Sequence, residues 1–221
     1  MIAVATCSSL SDQEVDDLPL FAAFEKLGVE ARLVVWDDPR VDWSRFDACL
    51  IRSTWDYADR RDEFVAWAER AAALTKMFNS AEIVRWNTRK DYLAELKARG
   101  APLAPSVWLQ RGSRLDVEAV MLDRRWTRGF LKPLIGATAR ETLRFSIVPA
   151  AGAAGLREAQ AHVDRLLPRE GLILQPYYAS VETEGEISAI FIDGECTHAV
   201  RKVPVPGDYR VQDDFGASDA P

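Results

Sequence analysis

The sequence predicts a mixed α/β (α+β) fold, and three observations predict it. Over the first 85 residues, short apolar runs and helix-spaced apolar residues follow the order strand, helix, strand, strand, helix. Strands alternating with helical patterns point to a parallel sheet. Further on, residues 129–134 read as a strand, and residues 153–167 carry Leu156, Ala159, Val163 and Leu167 at helical spacing. Finally, Asp193-Gly194 separates apolar-rich runs at 187–192 and 196–203. Asp-Gly in that setting predicts a β-hairpin, because a type I′ turn needs positive φ at both central residues.

Residues 2–6 are the first strand. Residues 15–27 place Leu18, Phe21, Ala22, Phe24 and Leu27 on a helix that Gly28 can stop. Strands follow at 31–36 and 48–53, then a helix at 62–74 with Phe64, Trp67, Ala68 and Ala71 on one face. In parallel sheets ligands sit beyond the carboxyl ends of the strands. The third strand runs there into Arg52-Ser53-Thr54-Trp55-Asp56-Tyr57, which gathers a cation, hydroxyls, a carboxylate and two aromatics. The plain alternative is a loop anchored by Trp55 with an Arg52–Asp56 salt bridge. Residues 79–87 are expected to connect, and 88–99 to form a helix ending at Gly100 with Tyr92, Leu93 and Leu96 as its stripe. Residues 101–109 carry two prolines and an apolar end, which suggests an extended linker and a strand. A helix at 116–123 and a short strand at 172–174, stopping at Gln175-Pro176, complete the elements. A hairpin turning at Asp193-Gly194 puts Glu186 opposite Arg201, with Lys202 on the other face beside Ile187 and Phe191. A cation on an apolar face needs a partner or a ligand.

Composition narrows the function. At 221 residues the chain can bury roughly 70% of its unfolded surface. It is 48% hydrophobic and 28% charged, an ordinary soluble mixture. The net charge of −6 argues against a nucleic-acid partner, which would need a basic stripe. Cys7, Cys49 and Cys196 lack metal or redox spacing, and two lie in apolar runs, so buried thiols in a reducing compartment are expected. His162 and His198 are isolated, which leaves no His-based metal site. No apolar run reaches membrane-spanning length, and the start lacks a signal peptide's charged head and long apolar core. A cytoplasmic protein without a membrane partner is expected.

The candidate chemistry begins at Phe130-Leu131-Lys132-Pro133, a lysine at the end of an apolar strand. The small-residue stretch 135–142 follows, with Gly136, Thr138, Arg140 and Thr142. Small residues let backbone N–H groups approach an anion, while lysine supplies a point charge and arginine a fork. No Walker or Rossmann pattern is present. In isolation the stretch is a mobile surface loop, and Lys90 is a solvated helix charge.

Taken in order, Lys90, Lys132 with its loop, Gln175-Pro176-Tyr177-Tyr178, Gly185-Glu186, the hairpin, Lys202-Val203-Pro204 and Gly207-Asp208-Tyr209-Arg210 resemble the ATP-grasp fold. They resemble in particular the branch with prokaryotic glutathione synthetase, the ribosomal-protein glutamate ligase and the ring-closing ligase of cycloserine biosynthesis, the last being nearest in wording. The resemblance implies an N-terminal parallel α/β domain at 1–85 and an ATP-grasp domain at 86–221, incomplete at its C-terminus, with 105–170 as a small lid. It implies that Lys90 and Lys132 hold ATP phosphates under the loop of Gly136, Thr138, Arg140 and Thr142. The backbone of Gln175, Pro176, Tyr177 and Tyr178 would read adenine, with Glu186 on the ribose. Lys202 would stand near the γ-phosphate and Arg210 near an acyl-phosphate, and residues 52–57 would face the substrate. Ser188 stands where glutathione synthetase has an arginine, so a glutathione-type substrate is not expected. The family's Mg²⁺ ligands are expected beyond residue 221; Asp208, Asp213, Asp214 and Asp219 crowd a glycine-rich, loop-like end and replace them poorly. The implied activity is an ATP-dependent carboxylate–amine ligase on a small amino-acid-like substrate. The alternatives are a nucleotide-binding protein or truncated fragment without catalysis, and an α/β binding protein without nucleotide. An unpaired sheet edge would favour a homo-oligomer.

Overall fold

The computed structural model describes residues 1–10, 14–148 and 152–220 and divides into two compact units, Met1–Ala101 and Pro102–Pro221. In the first unit, β1 (Ile2–Thr6), β2 (Ala31–Val35), β3 (Ala48–Ser53) and β4 (Lys76–Phe78) form one parallel sheet in the order β2-β1-β3-β4. β1 and β3 are the inner strands, and Ala3, Val4 and Ala5 of β1 are sealed from solvent. α1 (Leu18–Lys26) ends at Gly28, whose φ of +67° is the left-handed stop expected there. α2 (Arg61–Ala72) buries Phe64, Trp67, Ala68 and Ala71, the stripe its spacing predicts. Phe64 and Trp67 meet Trp36 and Trp43 at ring distances of 5.2–5.7 Å, which gives this core an aromatic centre.

Two elements lie where a plain connection was expected. β4 has three residues, too few to show alternation, and α3 (Ala81–Asn87) follows it. The side chain of Ser80 caps α3 by accepting the Ile83 N–H. The next helix, α4 (Tyr92–Ala98), starts later than residue 88.

In the second unit, β5 (Val107–Leu109), α5 (Val117–Asp123), β6 (Arg128–Pro133), β7 (Leu143–Ser146), α6 (Gly152–Leu166) and β8 (Leu172–Pro176) build an antiparallel sheet in the order β5-β8-β6-β7. One face carries Leu131, Phe145, Leu172 and Leu174 against Val117, Met121, Ala159 and Val163 of α5 and α6. A fully buried leucine there contributes about 1.5–3 kcal/mol. Alternation along β6 sends Phe130 and Lys132 to the opposite face, where Arg144 and Gln175 register with Phe130, and Ile173 with Lys132.

After α7 (Ser180–Thr183), β9 (Glu186–Ile192), β10 (Glu195–Val203) and β11 (Ser218–Ala220) form a second antiparallel sheet in the order β11-β10-β9. Asp193 and Gly194 have φ of +52° and +81°, as a type I′ turn demands. The expected register is wrong by one residue. A bulge between Cys196 and His198 places Lys202 opposite Glu186 and Arg201 opposite Ile187. Lys202 therefore shares the face of Glu186, not that of Ile187 and Phe191. The end expected to be loop also holds a strand: β11 sets Asp219 opposite Lys202 from the other side. Among the described residues, no helix is long and apolar enough to cross a membrane.

Candidate functional site

The first unit opens a cleft of about 230 Å³ at the carboxyl end of β3. Arg52, Thr54, Trp55 and Tyr57 line it. Arg52 is oriented from behind, since its Nε donates to Asp17 Oδ1 at 2.7 Å and Asp17 is buried. A buried carboxylate against a guanidinium fixes the fork's direction. Among the described residues no Arg52–Asp56 bridge forms, Arg52 pairing with Asp17 instead, and Trp55 is 55% exposed. Ser53 and Asp56 hold the frame. Ser53 Oγ donates to Thr6 Oγ1 and Asp17 Oδ2, and Asp56 accepts from Trp36 Nε1 at 2.9 Å and from Arg60. Burial pushes the Tyr57 hydroxyl up, helped by nearby Tyr92. Asn79, Asn87 and Thr88 also line it. The sequence placed Asn79 and Asn87 in a connection and Thr88 at the start of a helix, and the cap residue Ser80 beside Asn79 was the available signal. Lys90 lies in the turn between α3 and α4, outside either helix.

In the second unit the polar groups gather on the face of the β5-β8-β6-β7 sheet that turns away from α5 and α6. Lys132 is half-buried there. Burial pulls its ammonium below the ordinary lysine value, and Glu186 works against that pull. Among the described residues Glu186 is the charged group acting on it. Gly185 makes this approach possible. Its φ is +85°, and a Cβ on it would lie 2.5 Å from the Lys202 carbonyl oxygen. Gly185 thus lets β9 start tight against β10, with Glu186 and Lys202 side by side.

Side-chain contacts brace the loop after β6. Thr138, Ala139 and Glu141 have φ of +47°, +53° and +51°, a conformation that costs about 1–3 kcal/mol at each non-glycine residue and persists only where its surroundings over-determine it. Those surroundings are present. Arg140 pairs with Glu170 at 3.1 Å, Glu141 pairs with Arg165 at 2.5 Å, and His162 Nε2 lies 3.0 Å from the Glu141 carbonyl. Burial pushes the His162 imidazole down.

At the strand end, Gln175 Nε2 donates to Ser106 Oγ at 2.8 Å, and the Tyr177 N–H is taken by the Arg128 carbonyl. Pro176 has no N–H to donate. The Tyr177 hydroxyl donates to Glu182, which also pairs with Arg144. Arg210 sits on Asp208, with Nη2 2.6 Å from Oδ2, and stacks on Phe215 with Cζ 3.8 Å from the ring centre. The Arg210 guanidinium holds the Asp208 carboxyl well below the usual carboxylate range. Arg144, Glu182 and Asp208 were given no role from sequence, because their significance depends on pairings between distant segments.

Residues 2–79 match the family model of the D-cycloserine synthetase DcsG N-terminal domain. The cycloserine biosynthesis protein DcsG of Streptomyces lavendulae is 36% identical over 208 residues, covering 91% of this chain and 67% of that protein. The crystal structure of D-cycloserine synthetase DcsG superposes with a TM-score of 0.84 at 32% identity, covering 99% of this chain and 74% of its own. D-alanine–D-alanine ligase from Bacillus anthracis, solved with ATP, shares the fold at a TM-score of 0.65 and 12% identity, covering 99% of this chain and 69% of its own.

Proposed function

The chain belongs to the D-cycloserine synthetase family of the ATP-grasp ligases, and from that premise we propose an ATP-dependent carboxylate–amine ligase acting through an acyl-phosphate on a small amino-acid-like substrate. The observation that carries this reading is Lys132, a half-buried cation on the sheet face away from α5 and α6, with Glu186 as the charged group acting on it. A desolvated ammonium is costly unless an anion meets it, and a phosphate supplies that anion.

In this reading Lys132 and Lys90 hold nucleotide phosphates. Gly136 lets the loop backbone come close, and Thr138 and Thr142 add hydroxyl donors. Arg140 already pairs with Glu170 and would exchange that partner for a phosphate. Gln175, Pro176 and Tyr177 set the hinge, the Tyr178 N–H meets the adenine edge, and Glu186 takes the ribose. Lys202 stands at the γ-phosphate. Arg210, aimed by Asp208 and Phe215, stands at the acyl-phosphate. Residues 105–170 act as the lid.

The substrate carboxylate attacks the γ-phosphorus and ADP leaves. An amine then adds to the acyl carbon, and phosphate departs from the tetrahedral intermediate. Negative charge grows on the phosphoryl group and on the oxyanion, which is where fixed cations stabilise the reaction most. Arg52, Thr54, Trp55 and Tyr57, with Asn79 and Asn87, take the amino-acid-like end, while Ser53 and Asp56 hold their frame. Magnesium commonly accompanies such phosphates. Among the described residues no group of three or more His, Cys, Asp and Glu side chains could hold a metal ion. The thiols Cys7, Cys49 and Cys196 are free, which suits a reducing cytoplasm.

The test is ADP release with Mg·ATP and a panel of small amino acids, with hydroxylamine added to trap the acyl-phosphate as a hydroxamate. Amino-acid-dependent ADP release with hydroxamate is expected. Nucleotide binding with no turnover on any of them would refute the ligase reading in favour of a nucleotide-binding protein.

A further inference from the structure

One cluster in the second unit ties the segment before Arg210 to the loop that follows Lys132. The Tyr209 hydroxyl donates to the Thr142 carbonyl at 3.2 Å and lies 3.0 Å from Thr142 Oγ1. Its ring meets Phe130 edge-on at 5.4 Å and Tyr177 at 6.3 Å. The Arg144 guanidinium lies over both tyrosines, 5.2 Å from the Tyr209 ring and 5.5 Å from the Tyr177 ring. It also reaches the Gly207 carbonyl at 3.3 Å and Glu182 at 2.7 Å. A single stack therefore touches the hinge, the sheet face, the last residue of the loop and the turn that carries Arg210.

Packing alone accounts for the Tyr209 ring, since a phenyl ring would fill the same place. It does not account for the hydroxyl, whose partners both belong to Thr142. The loop has three non-glycine residues in left-handed backbone, so it keeps its shape only where outside contacts fix it. Arg165 and His162 supply such contacts at Glu141 from α6. Tyr209 supplies one at the next residue, from a segment more than sixty residues further along.

We propose that Tyr209 is a positioning residue: its hydroxyl pins the end of the phosphate loop, so that closing the loop over nucleotide and presenting Arg210 are one event. This rests on the ATP reading given above. The balance of forces is modest, because a neutral hydrogen bond in partial solvent shifts an equilibrium about fivefold.

Tyr209→Phe keeps the ring contacts and removes the hydroxyl. It should lower the melting temperature of the nucleotide-free protein by no more than about 2–4 °C and raise the Mg·ATP dissociation constant about fivefold. Hydrogen exchange of the amides at 136–142 should quicken in the nucleotide-free protein, a readout that needs no ligand. Thr142→Val should weaken nucleotide binding in the same direction, and the double variant should be less than additive, as expected for partners in one contact. If Tyr209→Phe leaves both nucleotide affinity and loop exchange as in the wild type, while the wild type binds Mg·ATP, the positioning role is overturned and the ATP reading stands. If the wild type itself shows no binding of Mg·ATP, the ATP reading falls and this proposal falls with it.

Discussion

Gly185→Ala tests the claim that a tight start to β9 places Glu186 beside Lys132 and Lys202. The substitution meets two separate penalties. The first is conformational: at φ +85° an alanine is strained by about 1–2 kcal/mol. The second is steric. The new Cβ would sit 2.5 Å from the Lys202 carbonyl oxygen and 3.3 Å from Arg201 Cγ. The first neighbour is backbone within a paired strand, so it cannot swing aside, and β9 must retreat from β10. Overpacking of this kind adds about 1–3 kcal/mol. Gly207 offers the matched control: its φ is +88°, yet nothing lies within 4 Å of its would-be Cβ. In urea melts, Gly207→Ala should cost the conformational part alone, about 1–2 kcal/mol, and Gly185→Ala roughly twice that. Gly185→Ala should also weaken Mg·ATP binding about tenfold, since a displacement of Glu186 and Lys202 loosens two contacts. Equal destabilisation by the two substitutions would refute the steric argument.

Replacing Lys132 with Met should change the pH dependence of stability. Burial lowers the folded-state lysine below its ordinary 10.5, so the charged form costs stability below that lowered value, and the wild type gains stability as pH rises from there towards 10.5. The Met variant should lose that slope in melts between neutral pH and pH 10.5, and a slope that persists would contradict the assignment. Leu131→Ala, in the sealed core of the second unit, should cost about 2–5 kcal/mol by urea denaturation, and a loss below 1 kcal/mol would mean that this face is not packed as described. In the folded protein, iodoacetamide followed by mass measurement should find Cys196 alone modified, because Cys7 and Cys49 are buried and burial pushes the Cys49 thiol up to about 12; labelling of Cys49 without denaturant would refute its burial.

The legible parts of this fold were those whose signals are local. β1, β3 and the α2 stripe carry their periodicity within a dozen residues, and the Asp193-Gly194 turn needs only two. What escaped depended on contacts between distant segments or on very short elements. β4 and β11 are three-residue strands whose partners, β3 and β10, make them strands. The bulge near Thr197 carries no proline or glycine to announce it, and it alone moved Lys202 onto the face of Glu186. The same holds for the candidate site. Lys132 stood out as a cation closing an apolar strand. The orientation of Arg52 by Asp17 spans 35 positions, and the contact of Tyr209 with Thr142 spans 67.

Lys132 is the cation proposed to receive a nucleotide phosphate. The direct measurement is a calorimetric and thermal-shift titration of Mg·ATP into the wild type and Lys132→Met. At about 100 times its dissociation constant, a ligand should stabilise the wild type by roughly 2.7 kcal/mol, a melting shift of about 5–10 °C for a chain of this size. The account predicts that shift in the wild type and none in Lys132→Met, with the nucleotide-free variant at least as stable as the wild type. A variant that keeps the full shift, or a wild type that shows none, would contradict it.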